Sequence, residues 1–111
     1  MKLVEEVTEE VTVVEAHGRL DSTTAKEFGD RLTALVQAGR AAIVLDLKNI
    51  AYISSAGFRV LLLAARRAED ASTRLVLCSV TGKVRQLFDL GGFLDLFPIS
   101  ASREDAIAAM Q

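Results

Sequence analysis

Apolar positions recur along this chain in two alternating rhythms, and the changes of rhythm mark its elements. "KLVEEVT" and "VTVVEAHG" carry β-branched residues at strand density and meet at Glu9-Glu10, which predicts a hairpin or two neighbouring strands. After Gly18-Arg19-Leu20-Asp21 the period lengthens. Ala25, Phe28, Leu32, Leu35 and Val36 recur at three and four residues, the pattern of an amphipathic helix. Thr24 and Glu27 stand in capping-box relation at its start, and Gly39 is its stop. "AAIVLDL", Ala41 to Leu47, is apolar on both alternations except at Asp46, as in a strand covered on both faces. Helical spacing returns from Gly57, with Phe58, Leu61, Leu62, Ala65 and Ala68 as a core stripe. "RLVLCSV", Arg74 to Val80, predicts a further strand, and "TGKVRQLFDLGG" a short helix carrying Val84, Leu87 and Phe88 and stopped by Gly91-Gly92. "FLDLFPI" predicts a last short strand. Ser102 with Asp105 then caps a final helix holding Ala106, Ile107 and Met110.

The order β-β-α-β-α-β-α-β-α places the chain among the α/β folds, a sheet with helical crossovers. With 111 residues, one proline (Pro98), no internal repeat and no low-complexity tract, residues 1–111 read as a single domain. Half the residues are hydrophobic and a formal net charge of −2 gives no reason to expect nucleic acid or an anionic membrane as partner. No apolar run approaches the roughly 18 residues of a membrane span. Cys78 is the one cysteine and has no disulfide mate in the chain, and "MKLVEEVTEE" lacks the apolar core of a secretion leader. A cytoplasmic protein is therefore expected, and a monomer, since no second apolar surface is evident in the sequence.

The parts of common active sites are missing. His17 and Cys78 stand alone, and HExxH, CxxC, GxSxG and GxxxxGKS patterns are absent, so no catalysis, metal or cofactor is expected. His17 precedes a glycine at a strand-to-loop step and reads as structural or surface, and Cys78 as a small buried strand residue. Asp21, Asp46 and Asp89 are too far apart in sequence for spacing to pair any two of them.

The informative stretch is "YISSAGFR", residues 52–59, where two hydroxyls and a glycine sit between a strand and a helix. A serine there can accept from the unpaired N–H groups of a helix start, so Ser54 or Ser55 has a structural use, and Gly57 permits close backbone approach. One cap needs one hydroxyl. The second is spare, at the carboxyl end of a strand, where α/β sheets place their ligand sites. Opposite the core stripe lie Arg59, Arg66, Arg67 and Asp70, with Leu63 among them and Val60 on their flank. A leucine set among arginines beside a hydroxyl-bearing helix start reads as a recognition surface.

Three blocks, "GRLDSTTAKEF", "IVLDLKNIAYISSAGFRVLL" and "LVLCSVTGKVRQLFDLGGF", together resemble the STAS domain, and within it the bacterial anti-sigma-factor antagonists. The resemblance implies a single-layer mixed sheet of about four to five strands with about four helices. It also implies a non-enzymatic switch. In the family, the unphosphorylated form binds a serine kinase that doubles as an anti-sigma factor and so frees the sigma factor. Phosphorylation of a serine at the start of the second helix breaks that complex, and a metal-dependent serine phosphatase restores it. The frequent family motif is acidic-Ser-Ser-Gly, with the serine beside the glycine often the acceptor. Here Ala56 holds that position, Ser55 the preceding serine and Ser54 the acidic one, so the resemblance to members with Ser-Ser-Ala-Gly implies Ser55 as acceptor and Ser54 as second choice. Asp21, Ser22 and Thr23 match the loop bordering the family's partner surface, although helix capping accounts for Asp21 and Ser22 equally well. The implied partner surface comprises Asp21, Ser22, Thr23, Ser54, Ser55, Gly57, Arg59, Val60 and Leu63. Two other readings stay open. One is a STAS scaffold subunit bracing the ATPase of a lipid-trafficking transporter; the other is a nucleotide site at the second helix's N-terminus, for which a Gly-rich phosphate loop is lacking.

Overall fold

The computed structural model describes residues 1–8 and 10–110. Its elements are β1 (Lys2–Thr8), β2 (Val11–Leu20), α1 (Ala25–Gln37), β3 (Ala42–Ile53), α2 (Ser55–Asp70), β4 (Arg74–Cys78), α3 (Gly82–Leu90), a 3-10 turn at Leu94–Leu96, β5 (Ile99–Ser100) and α4 (Arg103–Ala109). The five strands form one mixed sheet in the spatial order β1-β2-β3-β4-β5; β1 runs antiparallel to β2 and the remaining pairs are parallel. This is the element order that the apolar rhythm predicts and the single mixed sheet that the family resemblance implies. Pairing of Thr8 with Val11 closes the β1–β2 hairpin, and Glu10 takes a positive φ of 71° in its turn, while Glu9 lies outside the described residues.

Alternate residues of the central strands feed two buried layers. Val14, Ala16, Ile43, Leu45 and Leu77 face α1, α2 and α3, whereas Val11, Val13, Val44, Val76 and Cys78 face Ala106 of α4. That two-sided covering is why β3 begins as a continuous apolar run.

Five local expectations are corrected, the last of them at His17 below. First, β3 continues past Leu47 to Ile53: exposed Lys48 and Asn49 interrupt the apolar run, yet the strand keeps pairing with β2 through register shifts near Glu15–His17 and Gly18–Arg19. Second, "FLDLFPI" is mostly not strand. Leu96 N–H donates to the Phe93 carbonyl at 3.1 Å in a 3-10 turn, and Pro98, which has no N–H, contributes only its carbonyl, to Leu77 N–H at 2.9 Å. Strand pairing is therefore confined to Ile99–Ser100. Third, the capping box does not form. The Thr24 hydroxyl accepts from Asp21 N–H at 3.0 Å and donates to the Arg19 carbonyl at 2.8 Å, so it is spent on the preceding turn. Fourth, the buried stripe of α2 is Gly57, Phe58, Leu61, Ala64 and Ala68; Leu62 and Ala65 are half-buried. Ala64 was outside the expected stripe. The stripe turns toward α1 because Gly29 leaves room for Val60: a Cβ on Gly29 would lie 2.9 Å from Val60 Cγ1.

The final helix caps as its sequence predicts, the Ser102 hydroxyl accepting from Asp105 N–H at 3.1 Å. It is tied to the sheet by Arg103. The guanidinium donates to Asp46 Oδ2 at 3.0 and 3.1 Å, to Glu15 Oε1 at 2.7 Å and to Glu6 Oε2 at 3.4 Å, spanning β3, β2 and β1. The other Asp46 oxygen accepts from Lys48 N–H at 2.9 Å, and Glu15 Oε2 lies 2.6 Å from His17 Nε2. His17 thus sits within β2, with a carboxylate partner, rather than at a strand-to-loop step.

Cys78 is fully buried, as expected. Loss of water, with the Asp46 carboxylate adding to it, pushes its thiol up from 9.0 to about 11. Between those values the unfolded chain releases this proton and the folded chain keeps it, so stability falls as pH rises from about 9 to about 11. The expected loss is on the order of 2 to 3 kcal/mol at the end of that window, absent in Cys78→Ala, and urea denaturation at stepped pH measures the difference.

Candidate functional site

The strand-to-helix junction divides the two serines. Ser54 has extended backbone (φ −92°, ψ 176°), and its hydroxyl accepts from Gly57 N–H at 3.3 Å, the N-cap of α2. Its own N–H donates to the Leu20 carbonyl at 2.9 Å, which pins the junction to the end of β2. Ser55 occupies the first helical position. It is exposed, and among the described residues its hydroxyl has no hydrogen-bond partner.

Gly57 explains how the junction fits so closely. A Cβ there would lie 2.7 Å from the Leu20 carbonyl oxygen and 2.9 Å from both Ile53 Cγ2 and Leu20 Cγ, contacts that backbone cannot easily relieve. The residue is buried. Its expected place on a partner surface is therefore corrected: it lets α2 close on β2 and β3, and only its neighbours reach the surface. Gly57→Ala is expected to destabilise the fold by about 1 to 3 kcal/mol, seen as a lowered thermal midpoint.

Beside Ser54 and Ser55 opens a groove of about 650 Å³ between α2 and α3. Its floor is aromatic: the Phe58 ring stacks on Phe93 with centroids 4.3 Å apart and meets Phe88 edge-on at 5.0 Å. Leu62, Leu63 and Leu87 add apolar wall, and Arg59 and Arg66 line the same opening. At the other end stands Tyr52, its ring covered by the Arg19 guanidinium at 4.5 Å, with Lys83 Nζ at 5.9 Å. Leu63 is 43% exposed, which fits a contact residue in an otherwise polar row. Val60 is half-buried against Gly29 and faces α1 rather than this groove.

The β2–α1 loop lies at the edge of the junction, since Leu20 touches both Ser54 and Gly57. It is internally bonded. Asp21 Oδ1 accepts from the Thr23 hydroxyl at 2.7 Å and from Thr23 N–H at 3.0 Å, bonds that hold the carboxyl below its ordinary value with help from Arg19. The Asp21 carbonyl also accepts Ala25 N–H at 2.8 Å, opening α1, and Ser22 is exposed. Asp21 and Thr23 therefore shape the loop, and Ser22 is its free hydroxyl.

The structure thus gathers Ser54, Ser55, Arg59 and Leu63 on one groove and sets Asp21 to Thr23 beside it. Sequence reasoning missed Leu87 and Phe93, which arrive from α3 and the turn after it and carry no local mark of their role. Nor do Asp21, Asp46 and Asp89 assemble: Asp46 meets Glu15 and Glu6 around Arg103. Among the described residues no three of His, Cys, Asp and Glu converge to hold a metal, and no helix is long and apolar enough to cross a membrane.

The sequence profile of the STAS domain matches residues 2–106, nearly the whole length of this sheet and its helices. The chain belongs to the STAS domain family. Among STAS relatives, it is 39% identical over 111 residues to BtrV of Bordetella bronchiseptica, which carries the name of an anti-sigma factor antagonist; the match covers 100% of this chain and 96% of BtrV. It is 26% identical over 91 residues to the anti-sigma-B factor antagonist of Staphylococcus aureus, covering 82% of this chain and 84% of that one. The fold is shared with the Bacillus cell fate determinant SpoIIAA in its phosphorylated form, at a TM-score of 0.74 and 21% identity over 99% of this chain and 100% of that chain. SpoIIAA in its unphosphorylated form superposes at 0.73 and 21% identity, over 98% and 97%. The named relatives of this STAS chain carry the names of anti-sigma factor antagonists, a regulatory role.

Proposed function

We propose that this STAS protein is an anti-sigma-factor antagonist that works as a phosphorylation-controlled partner switch. Unphosphorylated, it binds an anti-sigma-factor serine kinase through the groove beside Ser55, and the sigma factor is released. The kinase then transfers the γ-phosphoryl group of ATP to Ser55 Oγ, with ADP and the hydroxyl proton leaving, and the complex separates. A serine phosphatase hydrolyses the phosphoester, giving back the hydroxyl and inorganic phosphate. The cycle runs in the cytoplasm, within one domain, with no cofactor, nucleic acid or membrane contact of its own.

The observation that carries this reading is the division of labour between the serines. Ser54 is spent on the helix cap, and Ser55 is exposed, without a hydrogen-bond partner among the described residues, and beside an apolar groove. The names of BtrV and the Staphylococcus aureus protein, and the solution of SpoIIAA in both phosphorylation states, support it. A phosphoserine carries about −1.5 to −2 charges at pH 7 and is favoured at a helix N-terminus, so the fold tolerates it. At an interface the same charge must lose its water, and binding weakens.

The test is to incubate the purified protein with ATP and each serine kinase encoded in its own genome, then locate phosphate by tandem mass spectrometry. One phosphate on Ser55 is expected. Phosphate on Ser54 would keep the switch and move its site. No phosphate from any kinase that binds the protein would overturn the reading, and capture of a membrane ATPase in its place would turn it toward a transporter scaffold.

A further inference from the structure

The groove's charge is specific in a way that its apolar wall is not. Of the three arginines of α2, Arg67 is engaged, its Nη1 donating to the Thr33 hydroxyl at 2.7 Å on the α1 side. Arg59 and Arg66 line the groove, are exposed, and among the described residues make no ion pair. With Lys83 over Tyr52 at the far end, and Arg19 there too although paired with Asp21 at 3.7 Å, a chain of formal net charge −2 presents a mainly basic rim around an aromatic floor. A basic rim over an apolar floor is complementary to an acidic segment with an apolar face. Ser55 stands four residues before Arg59, one helical turn away on the same face, where side chains lie roughly 5–6 Å apart at Cβ.

We propose that the groove takes an acidic, apolar-faced segment of the partner kinase, whose carboxylates pair with Arg59 and Arg66, and that phosphate on Ser55 dissociates the complex by drawing Arg59 into an intramolecular pair. This rests on the switch reading above and names its chemistry. The phosphate acts twice. It repels the acidic segment, and it occupies the guanidinium that held that segment, since phosphoserine opposite arginine makes charge-assisted hydrogen bonds. Arg66, nearly two turns further from Ser55 than Arg59 is, stays available to the partner and is not recruited.

Two measurements test it. The first needs no partner: phosphoserine is installed at position 55 biosynthetically and its second ionisation, ordinarily near 6, is followed by phosphorus NMR. The wild-type value is expected to lie below that of Arg59→Gln by about half a unit, and Arg66→Gln to match wild type. Equal values in all three proteins would overturn the capture. The second is a binding cycle with the kinase that retains the unphosphorylated protein. Arg59→Gln and Arg66→Gln are each expected to weaken capture about tenfold and to flatten its salt dependence. The phosphate penalty is expected to be about tenfold smaller in Arg59→Gln than in wild type. An undiminished penalty in Arg59→Gln would overturn this proposal and leave the switch standing, whereas no penalty in either protein would remove the switch itself. Loss of self-association in Arg66→Gln with kinase capture unchanged would assign the groove to a second copy of the chain, and would also overturn it.

Discussion

Phosphate on Ser55 is expected to weaken capture of the partner kinase about 150-fold, the equivalent of about 3 kcal/mol, while Ser55→Ala binds like the wild type. The asymmetry follows from the junction. Among the described residues the Ser55 hydroxyl makes no bond that alanine would lose, and alanine suits a first helical turn, so the fold and the groove are expected to survive the substitution. Ser54→Ala is the informative contrast, because it removes the hydroxyl that accepts from Gly57 N–H and frays the start of α2. A cap of this kind is worth about 1 kcal/mol of stability, and that loss falls on the fold before it falls on binding. Calorimetric titration of the four proteins, with thermal midpoints measured alongside, separates the two serines. Equal capture of Ser55 and phosphoserine-55 proteins would count against any switch at this position.

The largest expected loss of stability lies on the opposite face of the sheet. Arg103→Met should cost about 3 kcal/mol in urea denaturation, because it strands the Asp46 carboxylate, 3% exposed, with Lys48 N–H as its remaining donor. Glu15 and Glu6 would at the same time lose the cation that screens them from one another. Because Arg103 itself is a quarter exposed, the lower end of the range for breaking a buried pair applies. Replacing both partners, Arg103→Met with Asp46→Leu, should recover most of the loss, since an apolar pair of similar volume avoids the desolvation of two charges. Lys26→Met serves as control: the Lys26–Asp30 pair lies in full contact with water, and no measurable change is expected.

What could be read from the sequence was what repeats locally. The helical and strand rhythms located nine elements in order, because burial on one or both faces leaves a periodic trace. The trace fails where tertiary pairing overrides it. β3 runs on through Lys48 and Asn49 because β2 continues beside it, and "FLDLF" is apolar for the sake of the aromatic cluster on Phe88 and Phe93 rather than for strand pairing. Ser54 and Ser55 were legible as a pair but not as two roles, since which hydroxyl faces Gly57 N–H depends on where the helix begins. Arg103 was invisible. It lies 57 residues from Asp46 and 88 from Glu15, and no spacing rule connects such positions. The groove was half legible, with Ser55, Arg59 and Leu63 on one helix and Phe93 arriving from another part of the chain.

The strands lie side by side in the order in which they occur along the chain, and this has a consequence for how the protein comes together. Each new strand docks on the one made before it, so assembly proceeds by a series of modest loop closures, each adding one crossover helix to the growing edge, without an early meeting of distant segments. The docking of α4 stands outside that sequence of closures, with Ala106 packed under β2, β3 and β4 and Arg103 reaching back to β3, β2 and β1. Such a clasp has little to hold until the sheet exists. It is expected to form on the late, downhill side of the folding barrier, so that Arg103→Met should speed unfolding more than it slows folding in stopped-flow measurements.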